Sequence, residues 1–590
     1  MHRPTPVAHP ALREHSTDIL ILGSGGAGLF AALHAHRAAP ELSITVAVKG
    51  LLGKCGCTRM VQGGYNVALA AGDSVERHFM DTIEGGKWLP DQELAWKLVS
   101  LAVERIHELE NELGCFFDRN PDGTIHQKAF AGQTFDRTVH KGDLTGIEII
   151  NRLAEQVWAR KIARLEEHRA VELVKTADGS ALAGVLMVDM RTGEYAFVRA
   201  KAVLLATGGG PTMYKYHTPS ADKSCDGLAM ALRAGLALRD MEMVQFHPTG
   251  LLAGAHTRMT GTVLEEGLRG AGGYLLNGAK ERFMQNYDSR LERATRDIVS
   301  RAMYSEMRAG RTTPNGGLYI SMAHLGPERV RKEFKGMVER CADCGFDLAG
   351  GLVEVVPTAH YMMGGVVFRG DCTTELPGLF VAGEDSGGVH GANRLGGNGV
   401  ANSTVYGGVA GDSMAEWVRR EGAWKEPDRT MIDAAIARCE RPFGRGGAVP
   451  GTLEAIREAL YGLMWDRVGI IRDGEGLKAA ASDLAAIGEE LDRHALADSS
   501  RAFNLSWHDW MNLKSLTEVS AAIAAAAIAR EDSRGAHFRS DFPQTGPLEQ
   551  SAFTSARLDA GRVAITVKPV VFTRVRPGET LIAGAARKAA

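Results

Sequence analysis

The stretch Val389 to Tyr406, VHGANRLGGNGVANSTVY, sets a histidine and an arginine among glycines and alanines. Small residues let backbone approach a flat ligand closely, and an arginine buried among them needs an anion as its partner. Just upstream, Pro377-Gly378-Leu379-Phe380-Val381-Ala382-Gly383-Glu384 reads as a turn, a short buried strand and a Gly-Glu stop. Near the other end of the chain, Gly23-Ser24-Gly25-Gly26-Ala27-Gly28 offers a second kind of anion chemistry. Glycines at that spacing permit a tight turn and bring a pyrophosphate onto a helix N-terminus, where N–H groups and the dipole stabilise it. The alternative reading of the first stretch is a glycine-rich turn with a structural arginine, and a bare GxGxxG is weak by itself, so the flanks decide.

Asp18 to Leu22 is an apolar strand running straight into the first glycine, Leu29 to Ala39 has helical composition, and Ser43 to Val48 is the next strand. A GxGxxG motif between strand and helix inside a βαβ unit is a strong dinucleotide signal. The acidic ribose partner expected at the end of the second strand is absent, and Lys49 stands there instead. That argues against a plain nicotinamide site. Val171 to Val198 alternates in strand fashion and leads into Ala202-Val203-Leu204-Leu205-Ala206-Thr207-Gly208-Gly209. An apolar strand ending in ATGG is a second dinucleotide-associated signal, and Asp226-Gly227 then opens a helix. Two such signals on one chain suit FAD, an extended ligand that touches several strand ends of one sheet.

At 590 residues the chain exceeds one core, so roughly two to four domains are expected. A composition 45% hydrophobic and 24% charged, with a net charge of −3, gives no footprint for nucleic acid or an anionic membrane. No apolar run approaches the ~18 residues of a membrane span. The polar, proline-containing start MHRPTPVAHPALREHST reads as a disordered cytoplasmic leader. Eight cysteines make no disulfide framework. Cys55-Gly56-Cys57 and Cys341-Ala342-Asp343-Cys344 are the only close pairs, and neither has the further ligands of a zinc or iron–sulfur site. No metal is expected here, and any cluster that takes electrons belongs to another chain.

Asp91 to Leu113 repeats its apolar residues at helical steps, which is packing. The pattern changes between about Thr249 and Thr358, as for an inserted domain, and the first fold resumes near His360. Arg429 to Ala529 is alanine- and charge-rich with helical periodicity, and the tail carries a strand over Val563 to Phe572. The division expected is a leader over 1–16, a nucleotide-binding domain over 17–248 and 359–420 interrupted by an insert over 249–358, a helical domain over 428–530, and a tail domain over 531–590.

The glycine loop, Gln62-Gly63-Gly64, His247-Pro248-Thr249-Gly250, Ala294-Thr295-Arg296-Asp297, Pro357-Thr358-Ala359-His360-Tyr361 and His390-Gly391-Ala392-Asn393-Arg394-Leu395-Gly396 occur in that order. In this the chain resembles the flavoprotein subunits of succinate dehydrogenase and fumarate reductase, with the related aspartate oxidases sharing most motifs. The likeness runs from about residue 17 to 545 and includes Ser533-Arg534-Gly535-Ala536-His537. His78-Phe79-Met80-Asp81-Thr82 and Gly86-Lys87-Trp88-Leu89 look more like the dehydrogenase branch. The resemblance implies an α/β FAD-binding Rossmann-like domain with an inserted α+β capping domain, a C-terminal helical bundle and a small C-terminal tail domain. It implies that FAD is held by Gly23, Ser24, Gly25, Gly26, Ala27, Gly28, Lys49, Cys57, Thr58, Gln62, Gly63, Gly64, Ala206, Thr207, Gly208, Asp226, Glu384, Arg394, Gly399 and Val400.

The reaction implied is hydride transfer between flavin N5 and one carbon of a C4 dicarboxylate, with a proton exchanged at the adjacent carbon. A dianion taken from water demands paired cations and donors, and the resemblance places His247, His360 and Arg394 around its carboxylates. An arginine forks onto both oxygens, whereas a histidine supplies one donor whose charge can follow pH. By resemblance Arg296 carries the proton, and Glu266 and Arg269 relay it to solvent. The blander reading is that Arg296 and Asp297 cap the helix that follows them.

Two departures from the family matter. A threonine that usually donates to a substrate carboxylate is Glu265 here, whose charge would repel a dicarboxylate unless it is neutralised or turned away. In the respiratory enzymes a histidine five residues before Gln-Gly-Gly links covalently to the flavin, and that position is Cys57. Non-covalent FAD is therefore expected. The partners implied are an iron–sulfur protein subunit, with or without a membrane anchor, and a location in the cytoplasm or peripherally at the inner face of the cytoplasmic membrane. Two other readings remain open at this point: an aspartate oxidase-like enzyme reoxidised by oxygen or fumarate, and a non-catalytic electron-carrier subunit.

Overall fold

The computed structural model describes residues 12–220, 222–254, 257–443 and 452–584. Its largest sheet has seven strands. In order from one edge run Ala163–Glu166, Ile44–Val48, Leu12–Leu22, Tyr195–Leu205, Leu182–Asp189 and His168–Lys175, and Leu379–Val381 pairs with the far half of Tyr195–Leu205. The first four and Leu379–Val381 pair in parallel, while Leu182–Asp189 and His168–Lys175 return antiparallel. Ile19 to Leu22 are buried to 1% exposure or less, as an apolar run covered on both faces must be. Helix Gly26–Ala38 covers one face and packs against the 24-residue helix Asn398–Glu421.

The parallel strands share a direction, so their carboxyl ends meet along one edge. Gly23, Lys49, Ala206 and Ala382 each follow directly from such an end. The leader expected over 1–16 is only in part described. Its residues 12–16 form the start of strand Leu12–Leu22, paired with Tyr195 to Arg199. Their polar side chains hid a strand whose stabilisation there comes from backbone pairing at the sheet's solvent-facing end.

A second sheet runs Val244–Leu251, Leu352–Met362, Leu318–Ser321, Tyr274–Leu276, all antiparallel. It has its own core, in which Leu264, Leu268, Met303 and Val330 are fully buried among residues drawn from Leu251 to Val355. The first two strands slip register between Gln245 and Phe246 and again between His247 and Gly250. Such bulges re-aim side chains and are frequent beside active sites. Tyr65–Asn66, Thr138–Val139 and Gln127–Lys128 form a small antiparallel sheet.

Helices Arg429–Glu440, Leu453–Arg467, Gly474–Arg493 and Leu505–Ala529 follow. Each is N-capped by its own side chain, from Asp428, Thr452, Asp473 and Asn504. The tail folds back as the hairpin Ala552–Asp559 and Arg562–Pro569 against Leu238–Arg239. Among the described residues no helix is long and apolar enough to cross a membrane.

Candidate active site

One cleft, open to solvent, runs from the strand ends into the space beside the second sheet. At its nucleotide end the backbone is packed too closely to admit side chains. Gly23 has φ +113°, and a Cβ there would meet the Ala206 carbonyl oxygen at 2.1 Å. A Cβ on Gly28 would meet the Gly23 carbonyl oxygen at 2.0 Å, so this glycine seats the helix on the turn and does not line the cleft. Gly26 N–H donates to Thr58 Oγ1 at 3.0 Å.

Lys49 Nζ donates to Asp226 Oδ2 at 3.0 Å and to Ser224 Oγ at 2.9 Å, while Arg169 Nη2 donates to Asp226 Oδ1 at 2.7 Å. Burial alone would raise the Asp226 pKa, but Arg169 and Lys49 override it and hold the carboxyl well below its ordinary range. Thr207 N–H donates to Asp385 at 2.5 Å. Glu384 accepts from the N–H groups of Met362 at 2.9 Å and Gly210 at 3.2 Å, and burial raises its pKa to about 7.

At the other end the charged side chains converge. Arg296 donates through Nε at 3.1 Å and Nη2 at 2.6 Å to Glu266 Oε2, and through Nη1 to Gln245 Oε1 at 3.0 Å. Arg269 Nη2 donates to the other Glu266 oxygen at 2.9 Å, and its Nη1 to the Glu292 carbonyl at 2.7 Å. Burial pushes the Glu266 carboxyl up, but the two arginines outweigh it and hold it ionised. Arg394 lies over the Tyr361 ring, 4.4 Å from its centroid, donates Nη1 to its neighbour's carbonyl at 3.2 Å, and keeps a buried Nε without a protein partner. Burial and then Arg296 depress its pKa to about 10, which leaves it a cation. The small residues of the Val389–Tyr406 stretch now have a reason. A Cβ on Gly396 would come within 2.4 Å of Glu266 Oε2, and one on Gly399 within 3.0 Å of Arg394 Nη1.

His247 and His360 face each other from neighbouring strands, ring centroids 5.4 Å apart. His247 Nδ1 accepts from Thr249 N–H at 3.3 Å, so its Nε2 carries the proton. His360 Nδ1 is 2.8 Å from Thr218 Oγ1. The expectation that their charge follows pH near neutrality is corrected: burial, and next Arg296, drive both pKa values well below the ordinary histidine range. Both are neutral donors, and the positive charge belongs to the arginines. The expected repulsion by Glu265 is also absent in its simple form, because Glu265 Oε2 accepts from Lys128 Nζ at 3.0 Å.

Apart from Gly28 and Arg269, which sit one layer behind, every residue expected at the site lines this cleft. The helix after Thr295 begins at Arg296, yet Arg296 points its guanidinium at Glu266 rather than capping it. Sequence reasoning missed Gln245, Tyr361, Thr218 and Lys128. Gln245 lies two places before His247, which strand periodicity puts on the same face, and Tyr361 follows His360 directly. Thr218 and Lys128 carried no comparable signal.

The residues present fit FAD. The two long helices whose N-termini border the cleft, Gly26–Ala38 and Asn398–Glu421, have no side-chain cap, unlike the four helices of the helical region. Buried Gln62 Oε1 and Arg394 Nε, on two residues that line the cleft, are left without protein partners. Free N–H groups at helix ends suit a pyrophosphate, and orphaned polar atoms suit a ring with donors and acceptors along its edge. Fold and site together define an FAD-dependent oxidoreductase.

The comparisons agree. A family model for an FAD binding domain matches residues 18–400, and one for the fumarate reductase flavoprotein C-terminal region matches 457–582. One subunit of the CoM/CoB fumarate reductase of Methanothermobacter marburgensis is 39% identical over 90% of this chain and 96% of its own length. The Escherichia coli fumarate reductase flavoprotein subunit is 34% identical over 90% and 89%. A solved variant of the E. coli quinol fumarate reductase flavoprotein superposes with a TM-score of 0.90 at 32% identity, covering 97% of this chain and all of that one. The chain belongs to the succinate dehydrogenase/fumarate reductase flavoprotein family, whose members act on CH–CH bonds with FAD.

Proposed function

We propose that this chain interconverts succinate and fumarate, or a closely related dicarboxylate, and passes the electrons to an iron–sulfur protein subunit. The observation that carries the reading is Arg296, which lines the cleft beside His360 and Arg394 and rests on Glu266. When bound, FAD supplies the hydride chemistry at N5. The chain's own residues do the rest. Arg394 and His360 take one carboxylate, and His247 donates to the other. Arg296 exchanges a proton with the carbon next to the hydride position. A C–H beside a carboxylate is so weakly acidic that only a partner of very high pKa matches it. The proton is then replaced through the ionised Glu266 carboxylate, which takes one from Arg269 on its far side, itself resupplied from solvent, and passes it to the neutral Arg296.

Residues 249–358 act as a cap that keeps water from this space, while 17–248 with 359–420 hold the cofactor. The helical region 428–530 and the tail 531–590 offer surfaces for the iron–sulfur subunit. Since no described helix suits a bilayer, attachment to the inner face of the cytoplasmic membrane would run through partners. Relatives named for fumarate reduction support this reading over aspartate oxidation or a carrier without catalysis.

Anaerobic reduction of the holoprotein with a panel of succinate, substituted succinates and aspartate tests it, together with reoxidation of the reduced flavin by fumarate. Bleaching by succinate and recovery with fumarate are expected. Bleaching by aspartate alone, or by no member of the panel, would overturn it.

A further inference from the structure

Lys128 stands just behind the acid end of the cleft and does not line it. Its ammonium group donates to Glu265 Oε2 at 3.0 Å and, more loosely, to the Gly142 carbonyl at 3.4 Å. It also lies 5.8 Å from the centroid of the Phe130 ring, which lines the cleft. Glu265 does line the cleft, at 4% exposure, and among the described residues its second oxygen has no hydrogen-bond donor. The ion pair joins segments 137 residues apart: Lys128 on the small sheet of the nucleotide-binding part, and Glu265 just before helix Gly267–Gly270 of the insert.

Nothing else nearby can neutralise Glu265 as well. Arg296 and Arg269 are both committed to Glu266. The other charged groups that bear on Glu265 are Asp143, which has the wrong sign, and Arg340, whose guanidinium donates to the Val263 carbonyl. Arg296, Arg269 and Arg394 against the single carboxylate of Glu266 leave two positive charges at this end, the right number for a dianion. Burial raises the Glu265 pKa and Lys128 opposes it, so wherever Glu265 is ionised that balance holds only while Lys128 pairs with it.

We infer that Lys128 is a positioning residue for the acid: from behind the cleft wall it pairs with Glu265, so that a dianionic dicarboxylate can be held against an acidic side chain. Lys128 and Glu265 then act as a unit, and together they determine which acids the site accepts. An acid with only one negative charge gains far less from the pair than a dicarboxylate does. This rests on the proposed reading of the site as a dicarboxylate pocket.

The test is made on holoprotein with two readouts. One is the dissociation constant of malonate, a dicarboxylate that cannot be oxidised, read from the perturbed flavin absorbance. The other is steady-state KM and kcat for the acid that the panel identifies. At a pH high enough to ionise Glu265, Lys128→Met should weaken malonate about tenfold or more, by leaving a bare carboxylate within Coulomb range of the ligand. KM should rise in parallel, with kcat within about threefold, since Lys128 does not contact the reacting atoms. Lys128→Arg should bind malonate nearly as well as the parent protein. In Lys128→Met/Glu265→Gln, removing the second charge should restore malonate binding to within about threefold.

Unchanged malonate binding in Lys128→Met would overturn the inference. So would failure of the double variant to recover while it keeps its flavin. Malonate binding is measurable whatever the panel returns, so failure of the proposed reaction and failure of the Lys128 role give different results.

Discussion

The two ends of the cleft bind anions by opposite means. At the nucleotide end the chain uses bare backbone: Gly23 at φ +113° and the N-terminus of helix Gly26–Ala38, which has no side-chain cap of its own. Peptide N–H groups in fixed directions suit a phosphate whose position never changes. At the acid end it uses long side chains, Arg296, Arg269 and Arg394, around the carboxylate of Glu266. A substrate that must arrive, react and leave needs charge that can be shared and a proton that can move. Backbone supplies neither. The difference separates a site built to hold from a site built to turn over, and substitutions at the two ends should fail in different ways.

The largest effect is expected at the acid end. Arg296→Ala should lower kcat by about a thousandfold or more, since it removes both the proposed proton carrier and one of the cations around the acid end of the cleft. Flavin content should be unchanged, because among the described residues the Arg296 side chain hydrogen-bonds only Glu266 and Gln245. The measurement pairs steady-state turnover with the ratio of flavin to protein absorbance. Turnover preserved in a flavin-replete Arg296→Ala protein would remove Arg296 from the chemistry and leave its pairing with Glu266 as architecture.

At the other end Gly23→Ala should do the reverse. The added methyl would have to displace the Ala206 carbonyl, 2.1 Å away, and alanine is strained at that φ. The purified protein should carry at least about tenfold less flavin, and the molecules that retain it should turn over normally. Gly179→Ala is the control, since its φ of +70° is also left-handed but no atom lies within 4 Å. If both variants lose flavin alike, backbone strain rather than the close approach at Gly23 is responsible.

The same division explains what could be read from the chain. Backbone-driven features were legible, because glycine spacing and strand–turn–helix order fix them locally: Gly23 to Gly28, Ala206-Thr207-Gly208 and the Gly383-Glu384 stop all lie where parallel strands end. The cage was legible only through motif order, since His247 and His360 are brought together by pairing between strands far apart in sequence. Lys128 escaped notice because its role exists only across the fold, opposite a residue 137 places away. The neutrality of the two histidines is likewise a property of burial and of Arg296, which no local pattern announces. Residues 12–16 misled because composition cannot tell a polar strand end from a loop.

Cys57 lies between the two ends, and it tests whether the holding end also bonds. It lines the cleft, five residues before Gln62-Gly63-Gly64, at the position where the resemblance implies a flavin-linking histidine in the respiratory enzymes. Attack on a flavin requires the thiolate. Burial, with Glu384 adding to it and Lys223 opposing, raises the Cys57 pKa to about 12. At pH 7 only about one molecule in 10⁵ would then carry the nucleophile, against a few per cent for an ordinary cysteine. The thiol is therefore a poor linker despite its position, and denaturation in acid should release all the yellow colour into the supernatant. Colour that stays with the polypeptide and disappears in Cys57→Ser would mean that Lys223 lowers the thiol's pKa far more than burial raises it. The nucleotide end would then hold its ligand by a bond as well as by backbone.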